Sequence, residues 1–191
     1  EAFSATGMNP GKALKARTLT ITRLGGFVDI PENLYLTGDA TEVGSDVSKA
    51  LMLKKVKDGE FEIYTKLTAG KTVKFVSARS GEYKEYSLTT DKLIEGGTTT
   101  ASETGVYKYE IDFTIGSFSS KHITNVSLMH NWSQYKIELP YKELGVWEIN
   151  GYRLDVESLD GDGDDRYKFR MESTAGETEW RAINNDSKPT G

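Results

Sequence analysis

Apolar and polar residues alternate one by one along most of this chain. The clearest run is Tyr107-Lys-Tyr-Glu-Ile-Asp-Phe-Thr-Ile115. There Tyr107, Tyr109, Ile111, Phe113 and Ile115 share one face, and Lys108, Glu110, Asp112 and Thr114 share the other. Successive side chains of a strand point to opposite sides of its sheet, so this run predicts a half-buried strand of an antiparallel sheet. The same habit predicts strands over residues 18–24, 34–37, 61–67, 73–77 and 83–88, and again over 126–130, 135–139, 146–149, 152–156 and 167–171. Gly, Asp, Asn and Ser fill the gaps, as turns between strands require. No helical period outlasts a turn or two. Many short strands separated by polar turns predict an all-β sandwich or barrel. Residues 1–15 are small and polar, so residues 1–30 read as a linker followed by a leading strand.

An internal repeat organises the rest. Gly59-Glu-Phe-Glu-Ile63 matches Gly145-Val-Trp-Glu-Ile149, and Leu51-Met-Leu53 matches Ile137-Glu-Leu139, both at an offset of 86 residues. Asn33-Leu-Tyr-Leu36 matches Asn125-Val-Ser-Leu128 at 92, and Lys74-Phe75 matches Lys168-Phe169 at 94. Changes in offset fall in loops, where insertions are tolerated. Two β-modules are therefore expected, over residues 31–118 and 119–191. The second is expected to be incomplete at its C-terminal end, because nothing after Lys168-Phe169 matches the strand of residues 107–115.

The order of the pieces resembles a known family. Leu34-Tyr-Leu-Thr-Gly-Asp-Ala-Thr41 is followed by Lys49-Ala-Leu-Met-Leu53, Asp58-Gly-Glu-Phe-Glu-Ile63, Leu67-Thr-Ala-Gly70 and Lys74-Phe75. This is similar to the SusE/SusF-like outer-membrane lipoproteins of Bacteroidota. The match is looser over residues 125–183, where Gly-Val-Trp147, Tyr-Lys-Phe-Arg170 and Glu-Trp180 serve as anchors. The resemblance implies tandem immunoglobulin-like antiparallel β-sandwich modules that bind starch or another polysaccharide and catalyse nothing. It also implies a surface position on the bacterial outer membrane, a lipid anchor outside this chain, and SusC/SusD-type outer-membrane proteins as partners. A spacer or protein-docking segment of such a complex, with no sugar affinity, is the alternative. A Gly-Trp dipeptide is common in the family just after Gly-Asp-Ala-Thr, but Val43-Gly-Ser-Asp46 stands there in this chain. That departure moves the expected sugar site toward the second module.

Composition narrows the chemistry. Apolar residues make up 37% and charged residues 28% of the 191, with a net charge of −5 and basic residues scattered singly among acidic ones. A nucleic-acid binder shows a basic stripe instead, so nucleic acid is not expected as a partner. With no cysteine and only His122 and His130, a disulfide framework, a thiol nucleophile and a zinc centre are not expected. Neither a nucleophile elbow nor a phosphate-binding glycine loop is present. No enzyme, metal or cofactor is therefore expected.

Sugars are held by aromatic faces flanked by amide, carboxylate and basic groups. Trp180 precedes Arg181 and Asn184-Asn185-Asp186, and Trp132 lies beside Asn131, Ser133, Gln134 and Tyr135. In the first module Tyr83 and Tyr86 flank Lys84. The candidate carbohydrate contacts are thus Trp132, Trp180, Arg181, Asn131, Tyr135, Tyr86 and Tyr83. For Trp132, core packing and a ligand platform stand level. Trp147 shares parity with Ile149 and matches Phe61, which places it in a core. Asp160-Gly-Asp-Gly-Asp-Asp165 has alternating carboxylates suited to calcium, but Asp165 and Met171 occupy the places where an EF-hand loop needs Gly and Glu. A solvated acidic turn is the expected reading.

Overall fold

The computed structural model describes residues 2–3, 10–11, 25–130, 135–152, 167–176 and 178–181. Short strands β1 (Ala2–Phe3) and β2 (Pro10–Gly11) pair with each other. The strands that follow are β3 (Tyr35–Thr37), β4 (Leu51–Met52), β5 (Lys54–Lys57), β6 (Glu60–Leu67), β7 (Thr72–Val76) and β8 (Glu85–Thr89). Next come β9 (Lys92–Glu95), β10 (Thr99–Thr100), β11 (Gly105–Asp112) and the long β12 (Ser117–His130). The remainder are β13 (Tyr135–Glu138), β14 (Tyr141–Glu143), β15 (Val146–Trp147), β16 (Tyr167–Ser173) and β17 (Thr178–Arg181). Among the described residues the only helical turn is a single 3-10 turn at Val47–Lys49.

Every ladder is antiparallel, and the order β4-β3-β7-β8-β9-β12-β11-β6-β5 forms one path. The step from β9 to β12 rests on a single pair, Lys92 with Ser117. There the path folds into two layers. Leu36, Phe75, Tyr86, Leu88 and Leu93 of one layer meet Phe61, Ile63, Tyr109 and Ile111 of the other, making one β-sandwich core. Alternation explains the choice: Phe61, Ile63, Thr65 and Leu67 of β6 are buried while Lys66 points out. Phe113 closes the bottom of this core, with the rings of Phe27, Phe61 and Tyr86 edge-on around it.

Three expectations change. The strand expected over 107–115 ends at Asp112, because the Asp112 carboxylate accepts from Thr114 N at 2.8 Å and from its hydroxyl, turning the chain. Gly116, at φ +66°, completes that turn. The strand expected over 126–130 is the end of β12, which is 14 residues long. The expected boundary between residues 118 and 119 therefore falls inside a strand, and His122 lies in mid-strand, stacked on Tyr107 at 4.8 Å. The expected strand over 18–24, and all but the first residue of that over 152–156, lie outside the described residues.

The sequence offsets reappear in the pairing of strands. Leu36 pairs with Leu51 and Phe75, and Leu128 pairs with Ile137 and Phe169. Lys55 pairs with Phe61 and Lys57 with Glu60, while Tyr141 pairs with Trp147 and Glu143 with Val146. Even the irregularity between Lys55 and Lys57 recurs between Tyr141 and Glu143. Gly59 and Gly145, at φ +78° and +77°, occupy the same place in the two hairpins. Thus β12, β13, β14, β15 and β16 repeat β3, β4, β5, β6 and β7. β12 takes part in both sets of ladders, pairing with β11 through Ser117–Ile123 and with β13 and β16 further along.

Candidate functional site

An open cleft lies beside the loop from β7 to β8. It offers about 360 Å³ and is lined by Asp29, Ile30, Pro31, Ser77, Glu82, Tyr83, Lys84 and Tyr86. The chain reaches it because Phe27 is pinned, its N–H donating to Phe113 O at 2.9 Å and its ring edge-on to Tyr86. Gly26 permits that approach, since a Cβ there would lie 2.0 Å from Thr114 O. On the other wall Ser77 N donates to Lys84 O, and Lys84 N donates to Ser77 Oγ at 2.9 Å. These two bonds close the loop and present Tyr83, which is 40% exposed. Lys84 Nζ lies 3.4 Å from Asp29 Oδ2 and 3.5 Å from Glu95 Oε2. The hydrogen bond to Asp29, with the nearby Glu95 charge, holds the ammonium above its ordinary pKa.

Tyr86 was grouped with Tyr83 by sequence, but its side chain is 1% exposed and belongs to the core. Parity explains the difference. Tyr86 lies in β8 on the inward face with Leu88, whereas Tyr83 precedes the strand, which begins at Glu85 rather than at residue 83. The exposed ring and the buried ring therefore do not form a paired platform.

Trp180 is 37% exposed on β17. Lys168 Nζ sits 4.2 Å from its ring centroid and the Arg170 guanidinium 5.9 Å away, so a cation already lies over its π-face. Arg170 in turn bonds Glu172 Oε1 at 2.8 Å. Arg181 ends β17 opposite Phe169, and Tyr135 opens β13 opposite His130. Trp132 and Asn131 lie outside the described residues, as does the acidic run 160–165. The structure thus separates Tyr83 and Trp180 onto different repeats. Among the described residues, no group of three or more His, Asp or Glu is placed to hold a metal ion.

Trp147 is half-buried, as its match to Phe61 suggested in part, but it packs outside the first core. Its ring is edge-on to Tyr64 at 5.7 Å and to Tyr141 at 5.3 Å. This hairpin is pinned by Glu42, whose Oε2 accepts from Tyr141 Oη at 2.5 Å, Leu144 N at 3.1 Å and Lys66 N at 3.3 Å. Burial and the Glu42 carboxylate push the Tyr141 phenol up to about 12.

A second anchor surrounds Lys108, which alternation assigns to a solvent face but which is 3% exposed. Its ammonium lies 2.7 Å from Glu110, 3.0 Å from Glu179 and 3.6 Å from Glu62. Burial works against the charge, but these carboxylates outweigh it and hold Lys108 above its ordinary pKa. Sequence reasoning missed both anchors, because Glu42 and Lys108 find their partners about a hundred and 71 residues away, respectively.

Comparison of the chain with protein-family models, with curated proteins and with solved structures finds no match.

Proposed function

We propose that this chain is a non-catalytic carbohydrate-binding protein of the bacterial cell surface, built of tandem immunoglobulin-like β-sandwich modules. On this reading it holds α-glucan or another polysaccharide near a SusC/SusD-type outer-membrane importer, and a lipid outside this chain anchors it. The carrying observation is the Tyr83 cleft. An exposed phenol ring stands beside two carboxylates, an ammonium and a hydroxyl, in a volume suited to a sugar residue. A pyranose presents an apolar face to such a ring, and its hydroxyls both donate to Asp29 or Glu82 and accept from Lys84. The ordered repeat and the resemblance of residues 33–76 to SusE/SusF-like proteins support the same reading.

Calorimetric titration with a panel of oligosaccharides, α-glucans included, tests it. Saturable binding that falls by about tenfold or more in Tyr83→Ala is the expected result. A flat titration across the panel sinks the proposal. A spacer or docking role is the second reading, favoured by one observation: Tyr86 and Trp147 are occupied by packing, and Trp180 is covered by Lys168.

A further inference from the structure

The charges around the Tyr83 cleft are unequal. Asp29 and Glu82 line it, Glu95 reaches Lys84 from β9, and Lys84 is the one ammonium among these three carboxylates. That ammonium is already shared, 3.4 Å from Asp29 and 3.5 Å from Glu95. Among the described residues no cation pairs with Glu82, whose side chain is exposed. Arg79, the other cation of the loop, is engaged elsewhere. Its Nε donates to Ala50 O at 2.7 Å and its guanidinium lies over the Tyr35 ring. Lys74 on β7 is held by Glu85 at 3.0 Å. The exposed Tyr83 ring therefore stands in a cleft with surplus negative charge.

Resting on the carbohydrate-binding reading above, we propose that this cleft sorts sugars by charge, taking an amino sugar before a neutral one and turning away a uronate. A protonated sugar amine meets two attractions here. The face of the Tyr83 ring draws a cation through its quadrupole, and the Glu82 carboxylate accepts a charge-assisted hydrogen bond from it. Each is worth only a few-fold in affinity at an exposed site, and together they amount to about tenfold. A neutral pyranose stacks on the same ring and bonds the same groups, but it gains neither charge effect. A uronate meets the opposite balance. Its carboxylate needs Lys84, which Asp29 and Glu95 already share, and it would face Glu82 across the cleft. The remaining lining groups leave that balance alone. Ser77 Oγ accepts from Lys84 N at 2.9 Å, and Ile30 and Pro31 are apolar.

The probes are methyl glycosides of glucosamine, glucose and glucuronic acid, in both anomers. Each is titrated into the full 191-residue protein at about pH 6 and followed by the amide chemical shifts of residues 82–84. Expected are saturable shifts, with the glucosaminide bound about tenfold more tightly than the glucoside and the glucuronide weakest. Glu82→Gln, an exposed change that keeps the folded spectrum, should bring glucosaminide and glucoside within about threefold of each other. Glu103→Gln should keep the full gap, because Glu103 adjoins the Thr104 that bonds Ala69 N, at the far end of β7. Raising salt from about 0.05 M to about 0.5 M should narrow the gap. Equal affinity for glucosaminide and glucoside overturns the charge selection and leaves the carbohydrate reading standing. No shift with any of the three overturns it too, and the oligosaccharide panel then decides the carbohydrate reading separately. If N-acetyllysine amide shifts the same residues with the affinity of the glucosaminide, the cleft reads a bare cation, and the amino-sugar assignment falls.

Discussion

Lys108 Nζ lies 3.0 Å from Glu179 Oε2, joining β11 of the first repeat to β17 of the second across the outer face of the sandwich. The Lys108 ammonium is almost wholly removed from water and is shared by Glu62, Glu110 and Glu179. Removing the shared ammonium leaves three carboxylates facing one another, Glu62 nearly buried and Glu110 and Glu179 partly open to water. Lys108→Ala is expected to cost about 1–3 kcal/mol, measured by urea denaturation. Lys108 has its pKa raised, so its contribution is full below about 10.5 and is lost only as pH climbs through the folded-state value. On the acid side, burial disfavours the Glu110 charge, but bonds from Lys108 and Ser119 hold its pKa below the ordinary 4.5. That contribution is present above pH 4.5 and fades as pH falls below it.

Tyr141 and Glu42 make the second link between the repeats, and it has a different pH signature. The folded chain holds the phenol protonated up to about 12, against 10.0 for an ordinary tyrosine. The unfolded chain ionises first, so stability from this group is full below pH 10 and is lost as pH rises from 10 to about 12. Burial also raises Tyr86, Tyr107 and Tyr109, so spectrophotometric titration should show several tyrosines ionising late, and Tyr141→Phe should remove one of them. Glu42→Gln should bring that one back toward pH 10. If the number of late tyrosines is the same in Tyr141→Phe as in the wild type, Tyr141 is not among them.

Gly145 stands where Gly59 stands, and its φ of +77° favours glycine. It is also crowded, since a Cβ there would meet Tyr64 O at 2.7 Å, whereas nothing lies within 4 Å of one at Gly70, φ +74°. Gly70→Ala should cost only the left-handed backbone strain of about 1–2 kcal/mol. Gly145→Ala should cost more, because the β14–β15 hairpin must also lift from β6. Equal midpoints in urea for the two variants would show that the hairpin does not press on Tyr64.

Much of this architecture is legible from alternation because one face of each central strand is buried. β6, β7 and β11 announce themselves through Phe61 and Ile63, Val73 and Phe75, Tyr109 and Ile111. The edge strands do not. In Lys54-Lys-Val-Lys57 all side chains meet water, so no period marks it. The first half of β12 is equally silent, since Ser119, Ser120 and Lys121 interrupt its apolar residues. The repeat offsets were visible because they depend on order along the chain rather than on exposure. The candidate site was only half visible. Tyr83 stood out as an aromatic beside Lys84, but Asp29 reaches the cleft through the distant anchoring of Phe27 on Phe113, which no local pattern records. Alternation carries the strand back to Tyr83, whereas the Ser77–Lys84 bonds make a loop there and leave Tyr86 on the inward face of β8.

Phe75 and Phe169 occupy the same place in the two repeats, each paired with the leucine that opens its sheet, Leu36 or Leu128. If duplication alone set their energetic weight, truncating either would cost the same. Burial says otherwise. Phe75 is sealed between two layers and touches Tyr109 at 6.0 Å between ring centroids, whereas Phe169 is half-buried. Phe75→Ala should cost about 3–5 kcal/mol, because the cavity it leaves cannot collapse. Phe169→Ala should cost well under half of that, because its ring already meets solvent. Urea denaturation of both variants reads the difference directly, and equal costs would mean that burial does not distinguish the two places.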